Sequence, residues 1–163
     1  MTPTANPLLL ATHITIAIAL TITVGVQSAE LARLRISVPA RPVVPALRAA
    51  LWSMPILALL TFITGVALIA DGSRRGPWIG AGVLSTLIIA LASVWLRLRL
   101  RRAASGRTGL LGAVQWGVPA ITLAAAFLMA DRPQNVVLAF GTVLAAVAIA
   151  ILAYRTAARS EAA

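Results

Sequence analysis

The sequence predicts an all-α polytopic membrane protein with five transmembrane helices, arranged as one helix followed by two antiparallel hairpins. Composition is the first sign: of 163 residues, 60% are hydrophobic and 11% charged, whereas a water-soluble domain carries about 25% charged residues. Spacing is the second. The apolar residues fall into runs at about 7–28, 49–70, 78–96, 109–130 and 135–154, each close to the ~20 helical residues that cross a hydrocarbon core about 30 Å thick. They read as one membrane domain covering the whole chain.

The first run contains Thr15, Ile16, Ile18, Thr21 and Thr23, a β-branched pattern that would suit a strand. An open strand cannot satisfy its backbone in lipid, so length decides for a helix. Residues Met1 to Asn6 lack the basic segment of a secretory signal, and the run exceeds the usual signal core of about 7–15 residues, so the first helix is expected to be retained. The following stretch, Leu31–Arg48, is the longest connection. Its Val38-Pro39-Ala40-Arg41-Pro42 and Val44-Pro45 steps disfavour helix and predict a stiff link along the headgroups.

Short turns at Asp71–Pro77 and Asp131–Gln134 pair spans two with three and four with five as hairpins. The hairpins also resemble each other. Trp52-Ser53-Met54-Pro55-Ile56 precedes Ile69-Ala70-Asp71, and Trp116-Gly117-Val118-Pro119-Ala120 precedes Met129-Ala130-Asp131. Either two alanine-rich hairpins match by chance, or they are copies related by an axis along the membrane normal, with the first helix an addition. Pro55 and Pro119 each remove one backbone hydrogen bond and can kink their spans, for packing or to expose carbonyls at a binding site. Gly82, Thr86 and Ala90 on span three, and Gly141 with Ala145 on span five, form small-residue stripes that fit helix packing within the chain or between subunits.

All fourteen basic residues are arginine. Eleven fall on one side of the predicted topology and Arg74, Arg75 and Arg132 on the other, which places the N-terminus outside and the C-terminus in the cytoplasm. Span three leaves the membrane through Trp95 and Arg97, Arg99, Arg101 and Arg102, a pattern that anchors a helix among anionic headgroups. A net charge of +10 in a soluble protein would point to nucleic acid, but arginines flanking apolar spans serve lipid, and nucleic acid is discounted. Without cysteine there is no disulfide, thiolate nucleophile or cysteine-held cluster. Without lysine there is no Schiff-base chemistry.

His13 is the only histidine and lies inside span one, where an ionisable group is a functional candidate. It can shuttle a proton or ligate copper or haem, though a second haem ligand must come from another copy, Met54 or Met129. The commoner role for such a residue is a link between helices through a threonine or a backbone carbonyl. Gln115 in span four is the other candidate, either bonding another helix or touching a solute. Glu30 can pair with Arg33 one turn on, and Asp71 and Asp131 mark the outer helix ends. No nucleophile with a base, phosphate loop or metal-ligand cluster appears.

His13, Pro55 followed by Thr64-Gly65 and Trp78, the basic exit of span three, and Pro119 followed by Met129-Ala130-Asp131-Arg132-Pro133 resemble a group of small bacterial integral membrane proteins of unknown function, distantly like the copper-resistance D membrane domain. The resemblance covers spans one to four. The fifth span, Asp131 and the absence of lysine depart from it. It implies a four-helix core in a bacterial inner membrane and a role near metal or haem handling through His13, and it transfers no catalytic residue. The expected function is a non-enzymatic membrane subunit or accessory protein, packed in a homo-oligomer or with other membrane subunits and needing no cofactor. The alternatives are an oligomeric permease for a small solute or ion, and a haem- or copper-binding redox protein using His13.

Overall fold

The computed structural model of the chain describes residues 6–36, 45–71, 76–101 and 108–162. They form five α-helices: α1 (Pro7–Ile36), α2 (Pro45–Ala70), α3 (Pro77–Arg101), α4 (Thr108–Asp131) and α5 (Val136–Ala162). Every one is long and apolar enough to span a membrane. The protein is an all-α multi-pass membrane protein.

Local chemistry sets the helix starts. Asn6 caps α1 by accepting the Leu8 N–H at 3.0 Å, and Asn135 caps α5 by accepting the Val137 N–H at 2.8 Å. Prolines stand at the first helical position of α1, α2 and α3, where the missing N–H has no helical partner to lose and φ is already set. The proline steps between spans one and two therefore end by starting α2 at Pro45, four residues before the expected 49. The rest of that link, from 37 to 44, lies outside the described residues. At the other end of α4, Arg132 adopts φ 50°, the left-handed conformation that closes a helix and usually falls to glycine.

The helices run further than the spans read from hydropathy. α1 continues past Ser28 to Ile36, so the expected link from Leu31 is helical in its first part, and α5 continues past Tyr154 to Ala162. Both extensions carry arginines, which hydropathy penalises but a helix accommodates by extending their aliphatic stems toward the interface.

Side-chain contacts show the helices alternating in direction. The Asn6 N–H donates to Asp71 Oδ2 at 2.6 Å, joining the start of α1 to the end of α2. Arg97 lies over the Trp52 ring at 3.2 Å, joining the end of α3 to the start of α2, and Arg132 approaches Trp78 at 5.8 Å across α4 and α3. Helices α1 to α4 form a closed ring in which each touches the next and α4 returns to α1; among the described residues no close approach joins α1 to α3 or α2 to α4. Helix α5 packs outside this ring against α4 and α3.

Two hairpins related by a twofold axis would put α5 opposite α3. That place is taken by α1. The reason lies in side-chain size: the inward face of α1, Leu20, Val24, Gln27 and Leu31, is bulky enough to fill a ring centre, whereas α5 buries Ala139, Val143, Ala146 and Ala157 and suits a flat contact. At one close approach Gly117 of α4 lies against Ala150 of α5, where an added Cβ would be 2.6 Å from the alanine Cβ. By contrast, nothing lies within 4 Å of a Cβ built on Gly82 or Gly141, so neither glycine admits a helix of this chain. Thr86 is buried, but Gly82 and Ala90 are half-buried and Ala145 is exposed.

Gly117→Val should force α4 and α5 apart and cost about 1–3 kcal/mol, read as a lower midpoint of thermal unfolding in detergent. Gly82→Ala, with open space at its Cβ, should leave that midpoint unchanged or slightly raised.

Candidate functional site

Membrane helices must dispose of hydroxyl groups as well as backbone. Here the hydroxyls of Thr12, Thr15, Thr21, Thr61, Ser85, Thr86, Ser93 and Thr122 each donate to the carbonyl four residues earlier. Apart from the buried Nε1 of Trp78 at the start of α3, the longer polar side chains that remain buried fall into two groups at opposite ends of the ring.

The first group is His13 and Thr64. His13 is buried, with Nδ1 2.7 Å from Thr64 Oγ1. The Thr64 hydroxyl already donates to the Leu60 carbonyl at 2.8 Å, and it has only one proton. Its oxygen is then the acceptor, so Nδ1 carries the ring hydrogen and Nε2 presents the lone pair. This is the interhelical link to a threonine that the sequence allows for His13. It leaves Nε2 as the atom able to take a proton or a ligand. Met54 is not placed to complete a metal pair with it. It is fully buried beside Ser93, with Sδ 3.5 Å from the serine Oγ, and at 1.5 Å per residue it lies about 15 Å from Thr64 along α2.

The second group is Gln27 and Glu30, one turn apart on α1. Gln27 is fully buried, and among the described residues neither its Oε1 nor its Nε2 has a hydrogen-bond partner. Glu30 is also buried; Oε1 accepts from Arg33 at 2.7 Å, while Oε2 is unpartnered. The expected pair with Arg33 is present, and Glu30 is a buried residue within a helix. The register fixed by His13 against Thr64 sets Gln27 beside Ala50 and Leu51, and that fixed by Met54 near Ser93 sets Leu51 beside Leu96. An amide in such a layer costs about 1–3 kcal/mol for each group left unpaired. Three orphaned polar atoms within one turn make this the most expensive place in the ring. Hydropathy gave no sign of it; the available signal was that Leu20, Val24, Gln27 and Leu31 share one helical face.

Between the groups the buried side chains are apolar apart from the self-bonded hydroxyls of Thr61, Ser85, Thr86, Ser93 and Thr122. Leu20 and Val24 of α1, Ile89 of α3, and Val118 and Ile121 of α4 belong to one buried cluster. Gln115 is half-buried near the start of α4 and is engaged by a neighbour. Pro55 and Pro119 sit inside α2 and α4, and both helices continue through them. Arg97 is drawn onto Trp52, and Arg99 stands 5.3 Å from the Trp95 ring. The Arg101 side chain and Arg102 lie outside the described residues. No group of three or more potential metal ligands among histidine and the acidic residues occurs among the described residues. Comparison with known protein families, with curated proteins and with solved structures returns no match for this chain.

If the Gln27 amide is a burden on the fold, Gln27→Leu, of similar volume, should raise the thermal midpoint, and Gln27→Ala, which leaves a cavity, should lower it. A double-mutant cycle of His13→Ala and Thr64→Val should give a coupling of about 0.6–1.7 kcal/mol, the range of interhelical hydrogen bonds in membranes.

Proposed function

We propose that the chain is a non-enzymatic integral membrane subunit or accessory protein that works by packing, in the plane of the membrane, against further copies of itself or a larger membrane complex. One observation carries this reading: between the two polar groups lies a buried apolar cluster containing Leu20, Val24, Ile89, Val118 and Ile121, and the buried hydroxyls at that depth, on Thr61, Ser85, Thr86, Ser93 and Thr122, are spent on carbonyls of their own helices. A transport route needs polar or wet lining through the midplane, and a redox or hydrolytic site needs convergent groups. Half-buried Gly141, with open space at its Cβ position, and exposed Ala145 on α5 offer a surface where a partner backbone can approach closely. The resemblance to small bacterial membrane proteins favours a bacterial inner membrane, and the arginine asymmetry favours the N-terminus outside, the C-terminus in the cytoplasm and the arginine-rich end against anionic headgroups.

A second reading, an oligomeric permease for a small polar solute or ion, draws on Gln27 and Glu30, whose orphaned atoms suit a transient ligand better than a permanent core. The two readings part experimentally. Extraction from native membranes in mild detergent should yield an assembly larger than one chain, and the purified protein in sealed vesicles should show no proton or solute flux above empty vesicles. Flux that Gln27→Leu abolishes would replace the first reading with the second.

A further inference from the structure

Toward the end of the bundle that carries Asp71 and Asp131, helices α3 and α5 are joined. There Ala81, Leu128, Ala139 and Val143 form a small core, and Phe140 reaches within 3.6 Å of a Cβ on Gly80. Toward the arginine-rich end a cavity of about 390 Å³ lies between them, lined by Ala92 of α3, Ala113, Gly117 and Ile121 of α4, and Ile151 and Tyr154 of α5, among others. The small residues explain it: Gly117 draws α5 against α4, and alanines on both flanks fill too little of the space beside that contact.

The furrow has one polar end. Tyr154 is 44% exposed and is the one residue with a polar side chain in the lining. The register set by Gly117 against Ala150 puts Tyr154 beside Ala113, and that set by Trp78 near Arg132 puts Ala113 level with Arg97. Arg99 of α3 and Arg155 of α5 then stand within a turn of each other along the bundle axis. Both are exposed, and neither pairs with a carboxylate among the described residues.

We propose that this furrow is a binding site for one acyl chain of an anionic phospholipid, whose phosphate is held at the mouth by Arg99, Arg155 and the Tyr154 hydroxyl. The volume decides the occupant. It admits on the order of a dozen methylenes, each taken near the ~30 Å³ of a liquid water molecule, whereas a partner helix about 10 Å across needs more than twice that space over the same length. Charge decides the headgroup, because two guanidinium groups at one level, with no carboxylate partner among the described residues, favour a phosphate bearing net negative charge over a zwitterion. The proposal stands independently of the subunit reading.

The test is native mass spectrometry of the delipidated full-length protein with phosphatidylglycerol or phosphatidylcholine of identical chains. One phosphatidylglycerol should bind, with about tenfold preference over phosphatidylcholine. Arg99→Gln with Arg155→Gln should erase that preference, and Ala113→Phe, which fills the furrow, should remove binding of both lipids. Equal retention of both lipids by the unaltered protein, or retention unchanged by Ala113→Phe, would overturn the assignment. So would separation of a dimer into monomers by Ala113→Phe. If that variant does not fold, a phosphatidylglycerol with a photoreactive group in its chain decides on the unaltered protein: labelling must fall between residues 113 and 121 or at Ile151, and labelling elsewhere refutes the site.

Discussion

Every feature of this protein answers to one constraint: within the hydrocarbon layer a peptide group has no water to bond, so each N–H and C=O must be satisfied by the chain itself. Helices meet that demand segment by segment, which is why a first span rich in threonine and isoleucine is still helical. The short hydroxyl side chains obey the same rule, turning back to carbonyls of their own helix. A glutamine is too long to satisfy itself in this way. Gln27 is therefore conspicuous for a physical reason, and with Glu30 it concentrates the unmet bonding of the ring at one end of α1.

The number of spans and their approximate extents were legible because apolar length alone fixes them. Helix ends were not, since hydropathy falls wherever arginine appears, whether or not the helix stops; α1 runs on through Arg33, and Pro45 starts α2 where the proline pattern suggested only a break. The ring order was hidden for a related reason. Helices that are apolar on every side carry no signal of which face turns inward, and only side-chain volume, bulky on α1 and small on α5, separates the member of the ring from the helix outside it.

The candidate sites divide along the same line. His13 was readable because a lone histidine in a lipid span must find a partner, and Thr64 supplies one. Gln27 escaped notice because it lies close to the polar boundary, where a glutamine is unremarkable until the helix is seen to continue beyond it. In the stripes on α3 and α5 the glycines Gly82 and Gly141 have open space beside them, while Gly117, which shares the same four-residue spacing with Ala113 and Gly109, meets Ala150 of α5 closely. Spacing reports what a surface permits. It does not report what meets it.

The closed ring has a consequence for how the protein is made. Ribosomes deliver helices in chain order, yet α1 finds its second flank only when α4 arrives, after α2 and α3 are already in place. During synthesis the face bearing Gln27 and Glu30 is thus half-covered, and the nascent chain must be kept from wandering into lipid or toward a wrong neighbour. The clasp between Asn6 and Asp71 forms as soon as α2 is threaded, holding the earliest segment at its post until the circle can shut.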